Sequence, residues 1–148
     1  MIELKKFSED MQQDVIDFFT DVFPESGKVF EPEGRHSVFA DIENNFIGFR
    51  CLFDDDRLIG TVAVKKISDT ECELKGLYLY EKYHGQRLGY RLAKTAVDLA
   101  RDNGFKLMKL DTVSTYDKAI RLYERLGFEY TERYNQNERA DVFMELVL

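Results

Sequence analysis

The 148-residue sequence predicts an α+β fold, with a mixed, mostly antiparallel sheet, one parallel crossover and helices on both faces. Three observations carry this reading. Strand-like runs over residues 46–53, 58–67 and 71–80 are separated only by short polar turns, the pattern of an antiparallel meander. The second half then turns into a strand–helix–strand unit over residues 71–112, which in one sheet implies a parallel pair with a right-handed crossover. A chain of this mass buries about two-thirds of its surface. With 44% hydrophobic residues, one domain over residues 1–148 is expected.

The elements follow in order. Residues 2–7 read as a short strand. Ser8 is placed to cap a helix, with Glu9 and Asp10 suited to its positive end. Met11, Val15, Phe18, Phe19 and Val22 then form one apolar helical face, stopped by Pro24. A loop spans residues 24–36, and residues 37–43 suggest a short helix. After the meander, Leu88, Leu92, Ala93, Ala96, Leu99 and Ala100 make a helical stripe ended at Asn103-Gly104. Residues 105–112 form a strand. Ala119, Ile120, Tyr123 and Leu126 form a last stripe closed by Gly127, and strands over 128–134 and 141–148 complete the sheet.

Composition narrows the function. A net charge of -7 and a pI near 4.9 argue against nucleic acid or an anionic membrane as partner. No apolar run approaches the roughly 18 residues of a membrane span, and the first ten residues hold no secretory apolar core, so a cytoplasmic protein is expected. Cys51 and Cys72 have no metal-binding spacing and read as reduced thiols; no metal site is expected. Charge is uneven: residues 1–60 hold 6 basic and 14 acidic groups, and residues 84–109 hold 6 basic and 2 acidic.

The most informative stretch runs from Leu77 to Leu92. A strand passes through a turn containing Gly85 directly into a helix, whose first N–H groups lack internal partners. Such a turn suits a phosphate, with Arg87 and Arg91 adding charge. A helix entry with arginines facing water fits these residues equally well. The stretch has neither the GK[ST] of a P-loop nor a dinucleotide GxGxxG.

His84-Gly85-Gln86-Arg87-Leu88-Gly89 resembles the [QR]-x-x-G-x-[GA] loop of the GNAT superfamily of N-acetyltransferases. Downstream, residues 117–128 (DKAIRLYERLGF) are similar to the family's N-x-x-A-I-x-L-Y-E-x-L-G-F signature. The departures are His84 for Gln or Arg, Arg87 for Gly, and Tyr116 for Asn.

The resemblance implies acetyl-CoA as co-substrate. It places the pantetheine arm along the backbone of Leu77, Tyr78 and Leu79. The pyrophosphate falls on the loop amides of Gln86, Arg87, Leu88, Gly89 and Tyr90. Because backbone does that binding, Arg87 is expected to keep an ordinary φ/ψ. The resemblance also makes Tyr123 the acid that protonates the leaving thiolate, a role suited to a phenol of pKa about 10. From the residues alone, Tyr123 is a packed helix tyrosine.

Glu73 is the candidate general base. Lying four residues before Leu77, it is expected on the same strand face as Leu77 and Leu79; the other reading is a strand glutamate paired with a lysine. A strand N–H near Tyr78 would meet the oxyanion. The function implied is transfer of acetyl to a primary amine of a small molecule or peptide by direct attack. The alternative is a non-catalytic acyl-CoA-binding or regulatory module. The acidic first 60 residues, with Glu25, Glu31 and Glu33 between the first two helices, suggest a cationic amine; the other reading is that these acids only keep the protein soluble. The strand over 141–148 offers a route to a homodimer.

Overall fold

A computed structural model describes residues 1–148. Strand β1 (Ile2–Lys6) leads to helix α1 (Gln12–Val22), whose Val15, Phe18, Phe19 and Val22 are buried as their spacing requires. Ser8 makes no backbone cap. Its hydroxyl turns to the Asp10 carboxylate, and a 3₁₀ turn over Glu9–Met11 precedes α1. Helix α2 (Ile42–Asn45) follows a 3₁₀ turn over Ser37–Asp41. The meander is β2 (Gly48–Asp54), β3 (Arg57–Lys66) and β4 (Glu71–Leu79). Then come α3 (Leu88–Asp102), β5 (Leu107–Thr112), α4 (Asp117–Leu126), β6 (Glu129–Tyr130) and β7 (Val142–Val147).

The seven strands form one sheet in the order β1-β2-β3-β4-β5-β7-β6. Only β4 and β5 pair in parallel. Helix α1 covers one face, where Phe19 meets Phe39 and Tyr78. Helix α3 covers the other, where Leu92 approaches Gly60 and Leu99 approaches Gly48. One cluster of 34 buried residues runs through both layers.

Two strand expectations change. The strand expected over 128–134 shrinks to β6. Beyond the Thr131 N–H, which still reaches the Phe143 carbonyl at 2.8 Å, the Arg133 guanidinium donates to the carbonyls of Asn137 and Ala140 and draws the chain into a loop. The C-terminal strand is also not an edge. Strand β7 lies between β5 and β6, so most of its backbone is engaged within the chain.

Two irregularities shape the sheet around the site. At Gly76, β4 carries one extra residue: Thr61 pairs with Tyr78, but Ala63 pairs with Lys75. Gly76 has φ 62°, a left-handed backbone that glycine adopts without a Cβ penalty. The Thr61 hydroxyl holds its carbonyl at 2.7 Å. The second irregularity is a splay. Pairing between β4 and β5 stops at Glu73 and Lys109, although β4 runs on to Leu79 and β5 to Thr112. The sheet opens there into a cleft walled by both strands.

Candidate active site

One end of the cleft is built to meet an anion. The first intrahelical bond of α3 runs from the Arg91 N–H to the Arg87 carbonyl, leaving the N–H groups of Leu88, Gly89 and Tyr90 without a helical acceptor. The dipole of this 15-residue helix is positive there, and Arg87, Tyr90 and Arg125 line a concavity beside it. A Cβ added to Gly89 would stand 3.5 Å from Leu122 of α4, an ordinary van der Waals contact.

Between this end and the splay runs the free edge of β4. Leu77, Tyr78 and Leu79 lie past the last pair with β5, so one side of their backbone faces the cleft, as an extended ligand requires. His84 donates from Nε2 to the Leu79 carbonyl at 3.0 Å, which makes it a clasp on the end of β4. His36, assigned no role from sequence, accepts the Glu31 N–H at 2.9 Å and packs on Phe23 and Phe30.

Tyr123, on α4, stands near Tyr78 of β4 and Asp111 of β5, the two strands that splay. Its ring packs on Phe128 and is 6% exposed. Its hydroxyl makes no hydrogen bond with the protein, yet no side-chain polar atom of the molecule is both sealed and unpartnered, so this oxygen keeps some access to solvent. Burial, reinforced by the Asp111 carboxylate, holds the phenol well above the ordinary tyrosine range, so it stays protonated at neutral pH.

The position of Glu73 needs correction. The extra residue at Gly76 reverses the alternation of β4. Glu73 therefore shares a face with Lys75 and Tyr78, while Leu77 and Leu79 point to the opposite side. This turns Glu73 towards the α1 side of the sheet. There it is 8% exposed, accepts the Tyr134 hydroxyl at 2.5 Å and lies 3.6 Å from Lys75. Lys109 stands over the Tyr134 ring at 5.3 Å and pairs with Glu71 at 2.9 Å. The cysteines stand apart. Both are buried, and burial pushes each thiol up to about 12, so neither supplies a thiolate nucleophile.

Comparison with known proteins identifies the family and the fold. Residues 9–128 match the Acetyltransferase (GNAT) family. The chain belongs to the GNAT family. Among curated relatives, it is 35% identical over 96 residues to the "Probable N-acetyltransferase camello" of Xenopus laevis, covering 60% of this chain and 44% of that protein. The chain spans about half the length, or less, of the curated relatives it matches. Among solved structures, a GNAT-family acetyltransferase from Staphylococcus aureus Mu50 superposes with a TM-score of 0.87 at 14% identity, covering 98% of both chains. One from Elizabethkingia anophelis, solved with acetyl-CoA bound, gives 0.74 at 15% identity, covering 99% of this chain and 98% of that one. At such identities these two show a shared fold.

Against the GNAT pattern, each departure has a place. Arg87, standing for glycine, has φ 62° and not the ordinary value expected of it. The tight entry into α3 imposes a left-handed residue, and the arginine carries a strain of about 1 kcal/mol. Tyr116, standing for asparagine, donates its hydroxyl to the Ser26 carbonyl at 3.3 Å and ties the start of α4 to the 24–36 segment. The Tyr78 side of the cleft also holds residues that were not singled out from the sequence: Lys28, Lys75, Asp111, Tyr134 and Asn135. Of these, only Lys75 carried a local signal, its spacing of two from Glu73. Asn135 donates to Asp111 at 2.6 Å, and Tyr134 and Lys28 arrive from distant segments.

Proposed function

We propose that this GNAT protein transfers the acetyl group of acetyl-CoA to a primary amine by direct attack. The observation that carries it is the unpartnered Tyr123 hydroxyl near the two splaying strands, together with a free β4 edge that leads to the amide-rich start of α3. The backbone edge of Leu77, Tyr78 and Leu79 takes the pantetheine arm as an added strand. The loop amides of Gln86, Arg87, Leu88, Gly89 and Tyr90 take the pyrophosphate. The Elizabethkingia relative, which holds acetyl-CoA on the same fold, supports this use of the cleft.

The chemistry divides between two side chains. Glu73 accepts the proton that the amine nitrogen loses on attacking the thioester carbon, directly or through one water, while Tyr134 orients the carboxylate. A strand N–H near Tyr78 meets the charge that gathers on the carbonyl oxygen. As the carbon–sulfur bond breaks, Tyr123 gives its proton to the sulfur.

The test has two arms. Acetyl-CoA should raise the Tm, since a ligand that binds only the folded chain stabilises it by mass action. Gly89→Val, which sets a β-branched side chain among the loop amides, should lose that shift. A pool of primary amines should then release free thiol from acetyl-CoA. A Tm shift with no thiol release from any amine would leave a binding module and defeat the enzyme reading.

A further inference from the structure

A half-buried cation without a carboxylate partner stands on the Tyr78 side of the cleft. Gly27, at φ 75°, ends the 3₁₀ turn over Phe23–Ser26, and the Lys28 N–H bonds the Phe23 carbonyl at 3.1 Å. This fixed backbone sends the Lys28 ammonium between ring faces, 5.1 Å from the centre of Tyr116, 5.2 Å from Tyr78 and 5.9 Å from Phe23. Its one hydrogen bond is donated to the Tyr78 hydroxyl at 3.2 Å.

The acids around it are taken. Glu31 turns to Arg35 at 3.9 Å, Glu73 to Tyr134 and Lys75, and Asp111 to Asn135. Burial first, and then Arg35, hold the ammonium below the ordinary lysine range; Asp111 opposes this and Lys75 adds to it. An ammonium drawn out of water, with spare donors and no counterion, is stabilised by an anion. The rings that would cage a cationic acceptor already hold the protein's own cation.

We infer that the acceptor carries a carboxylate beside its primary amine, as an amino acid does, and that Lys28 binds that carboxylate with Arg35 and Lys75 adding positive potential. This rests on the acetyltransfer reading of the same cleft. It departs from the cationic acceptor suggested by the acidic first 60 residues. Of the three glutamates between α1 and α2, Glu25 accepts the Glu81 N–H at 2.8 Å, Glu31 faces Arg35, and only Glu33 has no partner.

The experiment compares free α-amino acids with their carboxamides and with the decarboxylated amines, by thermal protection in the presence of CoA and by thiol release from acetyl-CoA. A charge-assisted bond corresponds to about 10- to 100-fold, so free acids should exceed carboxamides by that factor in kcat/KM. Lys28→Met should bring the ratio near one, and Lys28→Arg should keep most of it. The wild-type comparison needs no variant to fold. Thiol release without preference for the acids overturns the carboxylate subsite and leaves acetyltransfer standing. Acid-selective protection that Lys28→Met removes, with no thiol release from any amine, upholds the subsite and defeats acetyltransfer. Neither preference nor release overturns both.

Discussion

The two ends of the cleft are built by different means. The end at α3 is backbone: a turn, a left-handed residue and three helical N–H groups, all within residues 84–91. The other end is side chains from separate segments. Tyr134 reaches Glu73 across 61 positions, and Lys28 reaches Tyr78 across 50. A backbone site depends little on which side chains surround it, provided nothing blocks approach. A site made of gathered side chains is sensitive at each of them. Under the proposed function, the contrast is between a general site for a shared co-substrate and a particular one for an acceptor.

The sharpest test lies at Tyr123. Tyr123→Phe removes one hydroxyl that makes no hydrogen bond with the protein, so folding and acetyl-CoA binding should hardly change. Loss of a positioned acid costs about 10²- to 10⁴-fold in kcat when proton transfer limits the rate. Single-turnover acetylation beside a thermal shift with acetyl-CoA checks this. Wild-type turnover with a chemistry-limited amine would return Tyr123 to a packing role.

On the acceptor side, Glu73→Gln keeps the shape and removes the base, and kcat/KM should fall by about 10²-fold or more. Gln86→Ala in the loop should change acetyl-CoA affinity by less than about threefold if backbone does the binding there. A larger effect of Gln86 than of Glu73 would invert the comparison between the two ends.

Smaller effects concern stability. Burial lowers His36 from 6.5 to about 4. Between those values the unfolded chain binds a proton that the folded chain does not, so this contribution is complete above pH 6.5 and fades as pH falls towards 4. The urea midpoint should drop between pH 7 and pH 5. His36→Asn, which can still accept the Glu31 N–H, should flatten that slope. The least effect is expected at Arg87, where Arg87→Gly relieves a left-handed residue and should raise stability by up to about 1 kcal/mol, read as a higher Tm.

Much of the fold was legible because its signals are local. The stripes of α1, α3 and α4 repeat at helical spacing, and the meander alternates between short turns. The strand–turn–helix entry and the contiguous residues 117–128 carried the family. Tertiary structure decided the rest. One extra residue at Gly76 sent Glu73 to the face opposite Leu77 and Leu79, and no count along the strand registers such an insertion. Arg133 cut short a strand that its residues favour. Local sequence reports preferences within a few residues. The charge at the Tyr78 side of the cleft depends on which distant side chains arrive together, and packing put Lys28 in the aromatic cage while giving Glu25 and Glu31 other partners.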